Sequence, residues 1–180
     1  MAKDLNIMLA GFGGQGILFA GKIIAYAGLL GGRQVSWLPS YGPEMRGGTA
    51  NCTVVISDDE IGSPLISKLD VLITMNLPSY QKFIGDLLPG GLVVLDSSLI
   101  KDYGERTDVT YQALPATVLA EENGLQSLAN VILVGKMMAV TGFTDEQLMG
   151  EAIDQSVSAK HLDLIEANKR ALHLGASYQE

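Results

Sequence analysis

Two glycine-rich stretches hold the residues of this chain that could do chemistry. The first, Gly11-Phe12-Gly13-Gly14-Gln15-Gly16-Ile17, follows an apolar run and precedes a helical pattern. Its Gly-x-Gly-x-x-Gly spacing suits a tight turn whose backbone approaches a pyrophosphate, with a helix N-terminus facing the anion. The second, Ser40-Tyr41-Gly42-Pro43-Glu44-Met45-Arg46-Gly47-Gly48-Thr49, sets one acid and one cation among glycines and a proline. A glycine pair lets the backbone take positive φ and come close to another molecule. The planar guanidinium of Arg46 suits a carboxylate or a phosphate.

A dinucleotide site also expects an acid about twenty residues beyond the turn, at the end of the second strand, to hold a ribose. That region reads Arg33-Gln34-Val35-Ser36-Trp37-Leu38 and contains no acid, which counts against ordinary NAD binding. Three occupants of the turn remain: a phosphate-bearing ligand, a partner's loop, or nothing beyond strand–helix packing. Gly11, Gly13, Gly14, Gln15 and Gly16 are the candidate cofactor-binding residues. Tyr41, Gly42, Glu44, Met45, Arg46, Gly47, Gly48 and Asn51 are the candidates for a substrate or partner loop. The plainer reading of that loop is a crossover connection with a local Glu44–Arg46 pair, anchored by Tyr41 and Met45. No residue is assigned as catalytic or as a metal ligand.

The charge distribution fits two readings: a site for an anionic ligand or an acidic partner near these motifs, or chance in a buried apolar segment. The chain has 180 residues and a net charge of −8, which disfavours nucleic acid or an anionic membrane as partner. Yet residues 5–50 carry three cations, Lys22, Arg33 and Arg46, against the single acid Glu44. The one cysteine, Cys52, excludes a disulfide framework, a cysteine-based zinc site and a four-thiolate iron–sulfur cluster held by this chain alone. Its β-branched surroundings suggest a packing role. His161 and His173, on one expected helix, have no metal-binding spacing.

The elements around the motifs alternate. Leu5–Ala10 reads as a buried strand, residues 15–30 as a helix with small residues on its apolar face, and Gln34–Leu38 as a second strand. Gly21 and Gly28 weaken that helix by roughly 1 kcal/mol each against alanine, so close helix–sheet packing is their expected role. Further strands are expected at 49–57, 71–75, 92–95 and 109–113. Helices are expected at 77–88, 116–123, 130–140, 144–155 and 159–175. Thr144-Asp145-Glu146-Gln147 suggests a capping box with Thr144 as N-cap. Asp96-Ser97-Ser98 falls at a strand's C-terminal end, where ligand sites of parallel sheets gather. The fold class expected is α/β: a Rossmann-like three-layer sandwich, a mainly parallel sheet with helices on both faces, forming a single domain over 1–180. No apolar run is long enough to cross a bilayer and no signal-peptide pattern opens the chain, so a cytoplasmic location is expected.

Taken together, the two motifs resemble the signature of the gamma subunits of 2-oxoacid:ferredoxin oxidoreductases, closest in overall pattern to the 2-oxoglutarate type. The resemblance covers essentially the whole chain. It implies a part in converting a 2-oxoacid, coenzyme A and oxidised ferredoxin to acyl-CoA, carbon dioxide and reduced ferredoxin. It implies alpha, beta and ferredoxin-like delta subunits as partners, with thiamine diphosphate and iron–sulfur clusters on them and no cofactor bound by this chain alone. The isolated chain would then be inactive. A free-standing nucleotide-binding Rossmann protein, or a scaffold domain, is the alternative.

Overall fold

The computed structural model describes residues 4–40, 49–104, 106–159 and 161–179. Strand β1 (Asp4–Phe12) enters the glycine turn and helix α1 (Ile17–Leu30) leaves it. The chain continues through β2 (Gln34–Ser40), β3 (Thr49–Ser57), β4 (Leu69–Thr74) and α2 (Leu77–Phe83). A 3-10 turn (Ile84–Asp86) leads to β5 (Leu87–Asp96), and β6 (Thr110–Leu114) follows. Four helices end the chain: α3 (Ala116–Glu122), α4 (Ala129–Thr141), α5 (Glu146–Ser156) and α6 (Ile165–Ser177).

The strands lie in the order β2-β3-β1-β4-β5-β6. β1, β4, β5 and β6 pair in parallel, whereas β3 is antiparallel to both of its neighbours, β1 and β2. β2 therefore points the same way as β1, and β3 alone runs against the rest. The α/β sandwich matches expectation. The connection after β2 does not: it joins antiparallel neighbours, so the crossover reading of that loop is corrected to a hairpin.

Alternation along each strand divides the core between two faces. Ile7, Leu9, Val71, Ile73, Leu92 and Val94 pack with α1 and α3 to α6. Met8, Ala10, Leu72, Val93 and Leu95 pack on the other face with Tyr80 and Phe83 of α2 and with Ile100. Burial on both faces explains why β4 and β5 read as continuous apolar runs. Each fully buried leucine or isoleucine contributes about 1.5–3 kcal/mol.

Small residues set the helix distances. A Cβ on Gly21 would overlap the Cys52 sulfur, and one on Gly28 would lie 2.8 Å from a Val35 methyl, so α1 packs closely on β2 and β3 as expected. At the α4–α6 crossing, side-chain carbons on Gly135 and Gly175 would overlap the carbonyl oxygens of Leu172 and Ile132. Backbone there meets backbone.

Three boundaries differ from expectation. The N-cap of α5 is Asp145, whose carboxylate accepts from Leu148 N–H at 2.8 Å, rather than Thr144. An ionised acceptor outcompetes a hydroxyl at a helix N-terminus, and the helix starts one residue later. The helix from Leu77 stops at Phe83 because Leu87 already pairs with Leu69 across the sheet. The last helix begins at Ile165 after a 3-10 turn at Leu162–Leu164, so His161 lies outside the helix that holds His173.

Candidate functional site

Register places both motifs at one end of the sheet. Phe12 pairs with Thr49, Gly11 with Ala50 and Ala10 with Asn51, while Asn51 also pairs with Ser40. The ends of the second motif thus sit one strand (Thr49) and two strands (Ser40) away from the strand that enters the glycine turn. Tyr41, Gly42, Glu44, Met45, Arg46, Gly47 and Gly48 lie outside the described residues. Asn51 is half-buried on β3, on the same sheet face as its partner Ala10.

The turn itself is largely consumed by internal contacts. Gln15 Oε1 accepts from Phe12 N–H at 2.6 Å, and Gln15 Nε2 donates to the Met75 carbonyl at 3.3 Å. The glutamine side chain therefore braces the end of β1 against the end of β4. A Cβ on Gly11 would fall 2.6 Å from Gln15 Oε1 and 2.8 Å from Ile17, so that glycine makes room for the brace. Gly16, at φ 71°, is the N-cap of α1 and offers no side-chain acceptor. Its carbonyl accepts from Asn130 Nδ2 of α4 at 2.9 Å as well as from Ala20 N–H. Gly14 differs. At φ 92° it needs glycine for its backbone, and the space around its α-carbon is open. It is the exposed apex of the turn.

Beside this apex is a cavity of about 330 Å³, lined by Gly14, Gln15, Met75, Thr117, Glu121 and Gln126 among others. Its only charged lining side chain among the described residues is an acid, Glu121. A phosphate here would find backbone N–H groups but no cation from these elements. The structure also removes the ribose-holding position of a dinucleotide fold. The neighbour of β1 on that side is β3, which begins rather than ends at this edge.

Asp96, at the end of β5, is fully buried and occupied. Its Oδ1 accepts from Ser98 N–H, and its Oδ2 from the amide and hydroxyl of Thr117, which ties β5 to α3. It is a structural cap, so the expectation of a ligand contact at Asp96-Ser97-Ser98 does not extend to this carboxylate. Cys52 is buried beneath α1 with its thiol directed to the Ile17 carbonyl at 3.6 Å. Burial pushes its pKa up to about 12 from an ordinary value of 9.0, against a smaller opposing effect from a Trp37 hydrogen bond. A neutral buried thiol is neither a nucleophile nor a metal ligand, in keeping with a packing role. His173 Nδ1 sits 2.9 Å from Glu146 Oε1 at the surface. Among the described residues no cluster of three or more metal-ligating side chains occurs, and no helix is long and apolar enough to cross a membrane.

Asn130 and Met75 were not among the sequence candidates. Met75 directly follows β4, next to β1, but Asn130 lies 114 residues from Gly16 and only the fold brings them together.

The glycine turn, the mixed sheet and the hairpin edge define a Rossmann-like α/β fold. Residues 6–178 match the pyruvate ferredoxin/flavodoxin oxidoreductase family, and the chain belongs to it. It is 39% identical over 178 residues to the ketoisovalerate oxidoreductase subunit VorA of Methanothermobacter marburgensis, covering 98% of this chain but 37% of that protein. The 2-oxoglutarate synthase subunit KorC of the same organism is 37% identical over 164 residues, with 87% of each chain covered. Among solved structures, the gamma subunit of a keto/oxoacid ferredoxin oxidoreductase from Geobacter sulfurreducens superposes with a TM-score of 0.82 at 29% identity, covering 96% of both chains. The chain thus spans about a third of the VorA relatives and most of the KorC and gamma-subunit relatives.

Proposed function

We propose that residues 1–180 act as one domain, the gamma-type subunit of a multisubunit 2-oxoacid:ferredoxin oxidoreductase. Such a complex converts a 2-oxoacid, coenzyme A and oxidised ferredoxin to acyl-CoA, carbon dioxide and reduced ferredoxin. This chain supplies no redox centre and no catalytic residue. Thiamine diphosphate and the iron–sulfur clusters belong to alpha, beta and ferredoxin-like delta subunits, and the complex works in the cytoplasm. The observation that carries this reading is the convergence of the two motifs on one sheet edge, in a chain that aligns with gamma-type subunits over most of its length.

On this reading the apex at Gly13 and Gly14 meets a phosphate of coenzyme A or a partner's loop, and Arg46 supplies the cation that the neighbouring cavity lacks. Gly42, Gly47 and Gly48 let the second loop approach its partner closely, with Tyr41, Glu44 and Met45 as contacts and Asn51 at its base. The test is to co-express the chain with its neighbouring genes, purify through a tag on it, and assay coenzyme A-dependent reduction of a viologen dye with several 2-oxoacids. Co-purifying thiamine- and iron-containing subunits with activity support the reading. A chain that elutes alone and inactive sinks it. Arg46→Ala should raise the Michaelis constant for coenzyme A in the assembled complex.

A second reading of the site rests on how much of the turn is spent internally. Gln15, Gly11 and Gly16 are committed to bracing and packing, which suits a rigid lock between subunits. Arg46→Ala would then weaken assembly before it altered the kinetics.

A further inference from the structure

A second and larger cavity, about 600 Å³, opens on the other side of the Gln126–Ser127 wall, between α4, α5 and α6. Its lining is mainly apolar and includes Phe19, Leu125, Leu128, Val157, Leu164 and Ala167. Among the described lining residues the only ionisable side chain is His161. Set into this apolar wall are Asn130, Ser156 and Asn168, 4%, 5% and 2% exposed, one from each of the three helices.

Each of these three polar residues keeps one oxygen without a hydrogen-bond partner: Asn130 Oδ1, Ser156 Oγ and Asn168 Oδ1. The amide orientations are fixed from behind. Asn130 Nδ2 donates to the Gly16 carbonyl at 2.9 Å, and Asn168 Nδ2 to the Leu164 carbonyl at 2.8 Å, so both Oδ1 atoms must be acceptors. Buried polar atoms are nearly always paired in folded proteins, and three exceptions around one cavity need a cause. Ser127, in the same wall, is the one residue other than glycine with positive φ among the described residues, at 67°. Backbone strain of this kind gathers at ligand clamps.

We propose that this cavity is a binding site for a small uncharged molecule with an apolar body and NH or OH donors. Among the described lining residues there is no lysine, arginine or carboxylate, and His161 is the one ionisable group, a lining that favours an uncharged molecule over phosphates, carboxylates and ammonium ions. The volume is in the range of ordinary small-molecule sites. The three oxygens are shut from bulk water, so a donor reaches them as the lining shifts around its occupant. Because Asn130 also holds the Gly16 carbonyl, an occupant that engages its Oδ1 bears on the seating of the glycine turn. The inference rests on these helices and stands apart from the proposed role of the turn.

The test uses phenol and its donorless isostere fluorobenzene as probes of the full-length, methyl-labelled chain, and of the complex purified through it. The methyl resonances of Leu125, Leu128, Val157 and Leu164 should shift together. Phenol should bind about three- to tenfold more tightly, the factor that one net hydrogen bond gives. Ser156→Ala and Asn168→Leu remove acceptors one at a time, with thermal midpoints reporting whether the fold survives. At least one should reduce the phenol preference while leaving fluorobenzene affinity unchanged. Ala167→Phe, which fills space, should abolish binding of both probes. Equal affinity for the two probes, shifts located elsewhere, or an unaltered preference in both acceptor variants would overturn the proposal. So would a cavity closed to both probes in the complex, since it would then be a surface covered by a partner subunit.

Discussion

Gly16→Ala tests whether the glycine turn is held in place by α4. At φ 71° an alanine costs about 1–2 kcal/mol in the left-handed region. Its Cβ would also overlap the Asn130 amide nitrogen, displacing the side chain and breaking the 2.9 Å bond to the Gly16 carbonyl. That bond is worth about 0.5–1.5 kcal/mol, which brings the expected loss to about 2–3 kcal/mol. Asn130→Ala alone should cost about 1 kcal/mol, because it also removes an oxygen that has no partner. The two changes are not independent. Once Asn130 is alanine, the overlap and the bond are both gone, and Gly16→Ala costs only its backbone strain. The double variant should lose about as much as Gly16→Ala alone, a coupling of about 1 kcal/mol. Urea unfolding of the four proteins, with unchanged m-values, measures this cycle. Additive losses would refute the contact between turn and helix.

Other outcomes follow from the same geometry. Gly14→Ala, at φ 92° in open space, should cost about 1–2 kcal/mol with no coupling to Asn130; chemical denaturation of that variant in both backgrounds checks it. Gly175→Ala drives a methyl into the Ile132 carbonyl, so a loss at or above the upper end of about 1–3 kcal/mol is expected, read as a fall in thermal midpoint. Cys52 is neutral in the fold up to about pH 12 but ionises near 9.0 when unfolded. Its contribution is therefore intact below pH 9.0 and lost as pH rises toward about 12, by up to about 1.4 kcal/mol per pH unit. Cys52→Ala should flatten that alkaline slope, and iodoacetamide should label the native thiol only as fast as the chain opens.

The sequence was most informative where a local pattern met a local cause. Gly21 and Gly28, costly in a helix, pointed to close packing, and both sit against β2 and β3. Cys52, among β-branched residues, was legible as core. Strand direction was not legible, because alternation has the same period in parallel and antiparallel pairs. The insertion of β3 between β1 and β2 therefore emerged only from the register. The turn was half legible: spacing identified it, but the role of Gln15 depends on Met75 and that of Gly16 on Asn130, and neither contact leaves a local signal. Asp96 and Thr144 show the opposite error. Each occupied a position with a familiar meaning, and in each case a nearby competitor decided the outcome: Thr117 took the Asp96 carboxylate, and Asp145 took the cap.

The placement of β3 has a consequence for how the chain is made. β1, α1 and β2 are complete by residue 40, yet β1 and β2 do not pair with each other and join one sheet only through residues 49–57. A nascent chain leaving the ribosome carries a gap one strand wide through its first half, with α1 as the clasp across it. β3 pairs with both neighbours along its length, so its arrival is what joins the strands of the first 57 residues into one sheet. That same event brings the two glycine-rich motifs to a common edge. Until residue 57 has left the ribosomal exit tunnel, the β1–β3 ladder cannot be completed, because Asp4 pairs with Ser57.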